Sequence, residues 1–568
     1  MKNLSDKKNR TFDAIVIGSG ISGGWAAKEL TAKGLRTLVL ERGRDVKHVA
    51  DYPTMMHNPW DLEHRNRVPL ALKEQYKVPG PHYIFSEATA HFLVKDAEQE
   101  YIQEDPYQWM RGYQVGGRSL LWARQTQRWS DFDFEGPARD GFAVDWPIRY
   151  KDLEKWYSYV EKFVGISGNK DGLANLPDGE FLKPHEMNCL ESHFRDQLKE
   201  KYADRPLIIG RCANLTEAQP IHIQQGRGTC QNRTLCERGC PYGGYFSSNS
   251  ATIPWALKTG KLTLRPHSLV HSIIYDEKKQ KAIGVKVIDT QTMQMETFFA
   301  KIIFVNGSTN SSNLVLLNSI SNRFPNGLGN DSGVLGKYLA FHNYRGRITA
   351  DFDGFMDKTT DGKRPNASYM PNFRNVYKQE TDFLRGYAAS VSANRNTALN
   401  DNLLGENLKN QLLNPTLAQW SIGASMMAET IPKEASRMIL DNNLKDKYGL
   451  PQIRFSVKYD DNDMKILKDF WQQFEEMFDV AGYTNIKKID TNRLPGSENH
   501  EMGGIRMGLD PKTSMLNQWN QLHAVKNVFV TDGACMVSTA TQNPSLTYMA
   551  LTARAVDYAV KEMKALRI

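Results

Sequence analysis

The chain has 568 residues, 40% hydrophobic and 24% charged, with a formal net charge of +8 from 72 basic and 64 acidic side chains. That length argues for two interleaved domains rather than one core. The small basic excess, with no Lys/Arg cluster interleaved with aromatics, argues against nucleic acid as a partner.

No apolar run approaches the roughly 18 residues needed to cross a bilayer. The polar start, residues 1–10, lacks the apolar centre of a secretory signal. The expectation is a chain without a transmembrane segment, either cytoplasmic or carried to the periplasm by a signal-bearing partner.

Residues 12–17 are continuously apolar, the pattern of a parallel strand buried on both faces. They run into Gly18-x-Gly20-x-x-Gly23, then a helix from residue 24 to about 32 that stops at Gly34. A second strand, 36–40, delivers Glu41, 21 positions after Gly20. In this βαβ setting the glycines are a dinucleotide fingerprint. Gly18 permits the turn, Gly20 admits the pyrophosphate and Gly23 lets helix and strand pack. Ile21 and Ser22 open the helix whose N-terminus favours an anion. Glu41, followed by Arg42, can accept hydrogen bonds from ribose hydroxyls. The motif alone does not separate NAD from FAD; its N-terminal position and the rest of the chain argue for FAD, and Gly327 and Gly329, which follow Pro325 in a loop, give no second fingerprint for an NAD(P)H site.

Residues 45–105, rich in Pro, His, Tyr and Trp and without periodicity, read as an extended excursion over the active-site side. Gly116-Gly117-x-Ser119 is a small-residue turn against which a flat ring system can lie. Three of six cysteines, Cys230, Cys236 and Cys240, fall within eleven residues, as for a metal or iron–sulfur site rather than a dispersed disulfide framework. Segments 262–264, 268–275, 284–287 and 302–305 read as a meander. Ile453, Phe455, Val457 and Tyr459 alternate as in a half-buried strand. A helix over about 462–481 carries Met464, Leu467, Trp471, Phe474 and Phe478 on one face, with Gly482 past its end.

Near the C-terminus stand His500, then Asp532-Gly533, then Asn543-Pro544-Ser545 ahead of an amphipathic run, 546–560. An imidazole with an ordinary pKa near ~6.5 can take an alcohol proton while a neighbouring amide anchors the same oxygen. Other readings are a core histidine at 500, and an N-cap at Asn543 with Pro544 at the first helical position, which would aim a helix dipole at the flavin.

In order and rough spacing, segments 116–119, 264–270, 306–308 and 500–508 resemble the glucose–methanol–choline (GMC) oxidoreductase family. The likeness spans the FAD-binding portions and is loose between about 340 and 490. It implies an α/β fold: a Rossmann-like FAD domain built from discontinuous segments, plus an antiparallel-sheet substrate domain. The FAD domain would take 1–339, with the excursion 45–105 and a Cys-rich loop 226–246, and resume at 496–568 with the catalytic segment. The substrate domain would take 340–495. The resemblance also implies that Val270, Asn306, Gly307, Asp532, Gly533, Pro544 and Ser545 contact FAD beside Gly116, Gly117 and Ser119. It makes His500 the active-site histidine and Asn543 its partner. Leu121 stands where some members attach flavin covalently through histidine, so FAD is expected to be non-covalent.

The cysteine spacing resembles the large FAD subunits of bacterial sugar dehydrogenases in this family. That implies a [3Fe–4S] cluster on Cys230, Cys236 and Cys240, a small subunit and a cytochrome c-type acceptor. A structural zinc with His222, or an empty loop of reduced cysteines, would look much the same. The expected reaction is oxidation of a secondary hydroxyl on a sugar or glycoside, first at C3 of a glucoside, next of gluconate or fructose type. An O2-using oxidase, a non-redox lyase of this fold and a silent FAD-binding scaffold remain as alternatives.

Overall fold

The computed structural model describes residues 10–360, 364–398 and 402–568; the polar stretch 1–9 lies outside them. Two sheets organise the chain. The first holds five parallel strands in the order Leu262–Arg265, Thr37–Leu40, Thr11–Ile17, Met295–Val305 and Val528–Val530. Its central strands are almost wholly apolar and buried: one face meets helices, and the other packs into a core that includes Val270, Ile273, Val285 and Val287. Helix Ile21–Ala32 and the C-terminal helix Ser545–Lys564 pack against one another over this sheet. Ala26, Ala27, Ala555 and Ala559 sit in that shared core, where small side chains let the backbones approach. No helix among the described residues is long and apolar enough to cross a membrane.

Strand Met295–Val305 serves two functions. Its second half extends the parallel sheet, while its first half pairs antiparallel with Lys281–Asp289, which pairs in turn with Ser268–Asp276. The expected meander is therefore three-stranded. Segment 262–264 lies at the opposite edge, parallel to Thr37–Leu40. His267, at φ 54, breaks the strand after Arg265, and the backbone turns to hydrogen-bond with Gly43 and Glu41.

The second sheet is antiparallel: Thr484–Asp490, Gly346–Phe352, Thr416–Glu429, Tyr387–Ala398, Ser368–Met370 and Ile208–Ile209. Helix Asp461–Val480 covers it. Asp460 and Asp463 form a reciprocal capping box at its start, and Gly482 at φ +76 follows its end. Its buried stripe is Ile466, Leu467, Phe470, Phe474, Met477 and Phe478; Met464 and Trp471 lie at the margin. Each fully buried side chain of this size contributes about 1.5–3 kcal/mol. Helix Cys189–Lys201 and Leu207 pack into the same core from far upstream in the chain.

The excursion is compact rather than extended. Short helices (Pro59–Asp61, Leu70–Gln75, Ala90–Phe92) enclose a small core of Val46, Tyr52, Tyr76, Ile84 and Phe92 that rests on Leu120 and Leu121. Its strand Ile102–Gln103 joins Pro451–Ser456 and Arg437–Lys445 in a three-stranded sheet. The excursion sets His82, Tyr83 and Ile84 against the cavity described next.

Candidate active site

One cavity of about 650 Å3 runs from the glycine motif to His500 and Asn543. Its size lies in the usual range for a cofactor and substrate site. Gly18, Gly20, Ile21 and Ser22 line one end with Glu41 and Arg42. Gly23 lies behind them, where a Cβ would overlap the Gly18 carbonyl. Above Gly20 the space is open, and Gly20 sits at the N-terminus of helix Ile21–Ala32 with no side chain capping it. Such a terminus offers free N–H groups to a phosphate. Glu41 is held by Ser19 Oγ (2.5 Å), Ser19 N–H (3.2 Å) and Gly43 N–H (2.9 Å). Burial pushes its carboxyl upward, opposed by these three donors.

Gly116, at φ +87, and Gly117 bring the turn against Gly20; Gly117 and Ser119 line the cavity and Gly116 lies behind. Ser119 Oγ donates to Gly116 O (2.6 Å) and accepts from Ser248 N–H (3.0 Å), so it braces the turn. Val270, Asn306, Gly307, Asp532, Gly533 and Ser545 line the same cavity. Asn306 Oδ1 is buried without a partner, as an atom awaiting a ligand donor would be. Asp532 accepts from Ser312 Oγ (2.5 Å) and Ala534 N–H (3.0 Å), and burial lifts its pKa to about 6. Pro544 caps the C-terminal helix one residue later than expected, with no side-chain cap. Asn543 is therefore not the N-cap. Its amide turns toward His500 instead, Nδ2 to Nε2 3.4 Å. The open helix N-terminus, the glycine turn and the unpartnered Asn306 together fit FAD, with Leu121, which also lines the cavity, unable to bond to it covalently.

A second histidine, not anticipated from sequence, orients His500. His342 Nε2 lies 3.0 Å from Ala540 O and 3.3 Å from Thr539 O. Carbonyls only accept, so this nitrogen carries the proton. His342 Nδ1 is then bare and accepts from His500 Nδ1–H at 2.8 Å. His500 Nε2 is left unprotonated, an acceptor whose partner in the cavity is Asn543 Nδ2–H at 3.4 Å. Burial, then the neighbouring His342, Arg118 and His82, hold the His500 pKa well below 6.5, which keeps the imidazole neutral. His342 pairs with Glu429 at the edge of the second sheet. Glu429 in turn accepts from Ala540 N–H (3.1 Å) and from Arg385 (2.7 Å). The loop 539–543 is thus fixed on both sides.

Other cavity residues were likewise not legible from sequence. Asn499 Nδ2 donates to His82 Nε2 (3.1 Å), and Arg118 grips Glu501 with both Nη atoms (3.1 and 2.7 Å). Tyr344, Arg493 and Glu498 also line the wall.

Cys230, Cys236 and Cys240 do not line the cavity, but their loop abuts it. Helix Cys236–Arg238 packs on the turn Gly117–Leu120, and Glu237, in the wall, meets Arg124 at 3.3 Å. All six cysteines are free. His222 is no fourth ligand: its Nδ1 accepts from Gln219 N–H (3.1 Å) and its Nε2 donates to Lys162 O (3.2 Å).

Comparison with known proteins accords with this arrangement. Two GMC oxidoreductase family models match, one over residues 13–343 and one over 432–552. The chain is 26% identical to the fructose dehydrogenase large subunit of Gluconobacter japonicus, covering 97% of this chain and 98% of that one. It is 26% identical to 2-methyl-1,2-propanediol dehydrogenase of Mycolicibacterium austroafricanum (96% and 94%). It is 24% identical to the gluconate 2-dehydrogenase flavoprotein of Pantoea cypripedii (96% and 92%). The chain belongs to the GMC oxidoreductase family, and is an FAD-binding oxidoreductase acting on CH–OH donors.

Proposed function

We propose that this protein is a dehydrogenase that oxidises a secondary hydroxyl of a sugar or glycoside, and passes the electrons to an acceptor other than O2. C3 of a glucoside is the first choice, from the resemblance to bacterial sugar dehydrogenases. The observation that carries the reading is His500 Nε2, an unprotonated acceptor in the cavity wall that shares its place with the Asn543 amide. Bound FAD supplies the hydride acceptor. His500 Nε2 takes the hydroxyl proton as the carbon loses hydride, leaving a ketone. Asn543 Nδ2–H donates to the same oxygen and holds it through the change.

The electron exit is the cysteine loop. Gly244 N–H lies 3.4 Å from Cys240 Sγ and Asn214 Nδ2 lies 3.7 Å from Cys230 Sγ, donors of the kind that stabilise ligating thiolates. The three sulfurs do not all fall within 4.8 Å of one another. That separation does not fit a single zinc held by all three thiolates. A small subunit and a cytochrome c-type acceptor complete the proposal, with export on a signal-bearing partner. Anaerobic absorbance of purified protein with glucosides, glucose, gluconate and fructose, together with iron analysis, tests it. Flavin bleaching by a sugar supports the reading, and absence of bleaching by all of them removes it.

A further inference from the structure

Glu498, two residues before His500, lines the cavity that His500 and Asn543 share. The residue is only 7% exposed, yet neither carboxyl oxygen has a hydrogen-bond partner. Three other carboxyls line the same cavity, and all are engaged. Glu41 is held by Ser19 and Gly43, Glu237 by Arg124, and Asp532 by Ser312 and Ala534. Among the described residues Glu498 alone presents two unused acceptors there. Burial holds its carboxyl well above the ordinary carboxylate range, with Glu501 adding to this and Arg493 and Arg118 opposing it, so donors brought by a ligand would draw it toward the ionised form.

A buried acceptor without donors is unfavourable until something supplies them. The groups that line this cavity decide what that ligand is. A ligand ammonium would meet Arg493 and Arg118, which already face the same carboxyl. A ligand carboxylate would meet Glu498 and Glu501. A monohydric alcohol has one O–H, and that proton belongs to His500. Neighbouring hydroxyls on a neutral ring supply two donors at the spacing of a carboxyl's two oxygens, with no charge to offset.

We propose that Glu498 is a substrate-binding residue whose two oxygens accept hydrogen bonds from a pair of neighbouring hydroxyls, and that it selects neutral sugars over sugar acids, aminosugars and simple alcohols. This rests on the reading of the protein as a sugar dehydrogenase, and it names the group that recognises the non-reacting part of the ring.

The test is a cycle between protein and ligand in the FAD-loaded enzyme. Anaerobic flavin reduction is followed against the concentration of methyl glucoside and of its 2-, 4- and 6-deoxy analogues, in wild type and in Glu498→Gln. Wild type should bind at least one deoxy analogue about tenfold more weakly than the parent glucoside, as expected when a hydrogen bond to a charged group is lost. In Glu498→Gln the parent glucoside should weaken by a similar factor and that deoxy penalty should vanish. The thermal midpoint should hold or rise, because an unpaired buried carboxyl has been removed. Deoxy penalties that persist undiminished in Glu498→Gln overturn the assignment. So does a lowered thermal midpoint with equal losses for every ligand, which would mark a structural residue. Failure of wild-type flavin to be reduced by any sugar would instead remove the sugar reading itself, a distinguishable result.

Discussion

His342 Nδ1 accepts a hydrogen bond from His500 Nδ1–H at 2.8 Å, and that contact decides which nitrogen of His500 faces the cavity. Donation runs from His500 Nδ1–H to His342 and from His342 Nε2–H to the carbonyls of Thr539 and Ala540, which leaves His500 Nε2 as an acceptor. Replacing His342 by Ala should leave FAD bound but slow flavin reduction by about 10- to 100-fold, the scale for removing a histidine's orienting partner. His342→Gln, whose side-chain oxygen can accept from the same N–H, should recover most of the rate. Stopped-flow reduction of the two variants checks this; an Ala variant as fast as wild type removes His342 from the mechanism.

The pH dependence follows from the same setting. Only neutral His500 can accept a proton, and burial first, then the neighbouring His342, Arg118 and His82, hold its pKa well below 6.5. Protonation, and with it loss of activity, is therefore displaced to lower pH. The limiting rate of flavin reduction should stay flat as pH falls through 6.5 and decline only well below it. An acid limb centred at or above pH 6.5 contradicts this environment for His500.

Gly23→Ala addresses the cofactor end. The added methyl has nowhere to go but into the Gly18 carbonyl, within the turn that precedes the helix N-terminus. The turn must open, and the phosphate donors move with it. The purified variant should carry less than about half the wild-type flavin and lose about 1–3 kcal/mol of stability, the cost of overpacking. Flavin absorbance per chain and a thermal melt measure both. Full flavin occupancy would show that the turn does not bind the phosphates.

Cys236→Ser separates the two electron transfers. Cys236 directly precedes Glu237 of the cavity wall but does not itself line the cavity. The variant should reduce its flavin with sugar at the wild-type rate, lose iron, and transfer electrons to a cytochrome c at least about tenfold more slowly. Unchanged cytochrome reduction would take the cysteine loop out of the electron path.

Much of this was legible in sequence wherever chemistry and backbone are local. The strand before Gly18, the helix after it and Glu41 are contiguous, so the nucleotide end could be read directly. The same holds for helix Asp461–Val480, whose apolar stripe and flanking Gly482 lie in one stretch of chain. His342, His82 and Glu498 carried no such signal. His342 is 158 residues from His500 and meets it only because strand His342–Asn343 pairs at Ala428 and Glu429. His82 lies in a segment without periodicity, and Glu498 is remarkable only for partners it lacks. The other reading of Asn543, as an N-cap, came from Asn-Pro being a common helix start; the cap falls one residue later, at Pro544. The burial of the His500 loop beside it gave its amide a different acceptor. Leu262–Arg265 was placed in the wrong part of the sheet, since strand order is a property of crossovers and not of the strand's own residues.

The most direct test of the central claim is anaerobic reduction of the bound flavin by a neutral glucoside, in wild type and in His500→Ala. The account predicts bleaching in wild type and, in a variant that still holds FAD, a rate at least ~100-fold lower, the usual scale for losing a general base. Equal rates in the two proteins, or a wild-type flavin that no sugar reduces, would contradict it.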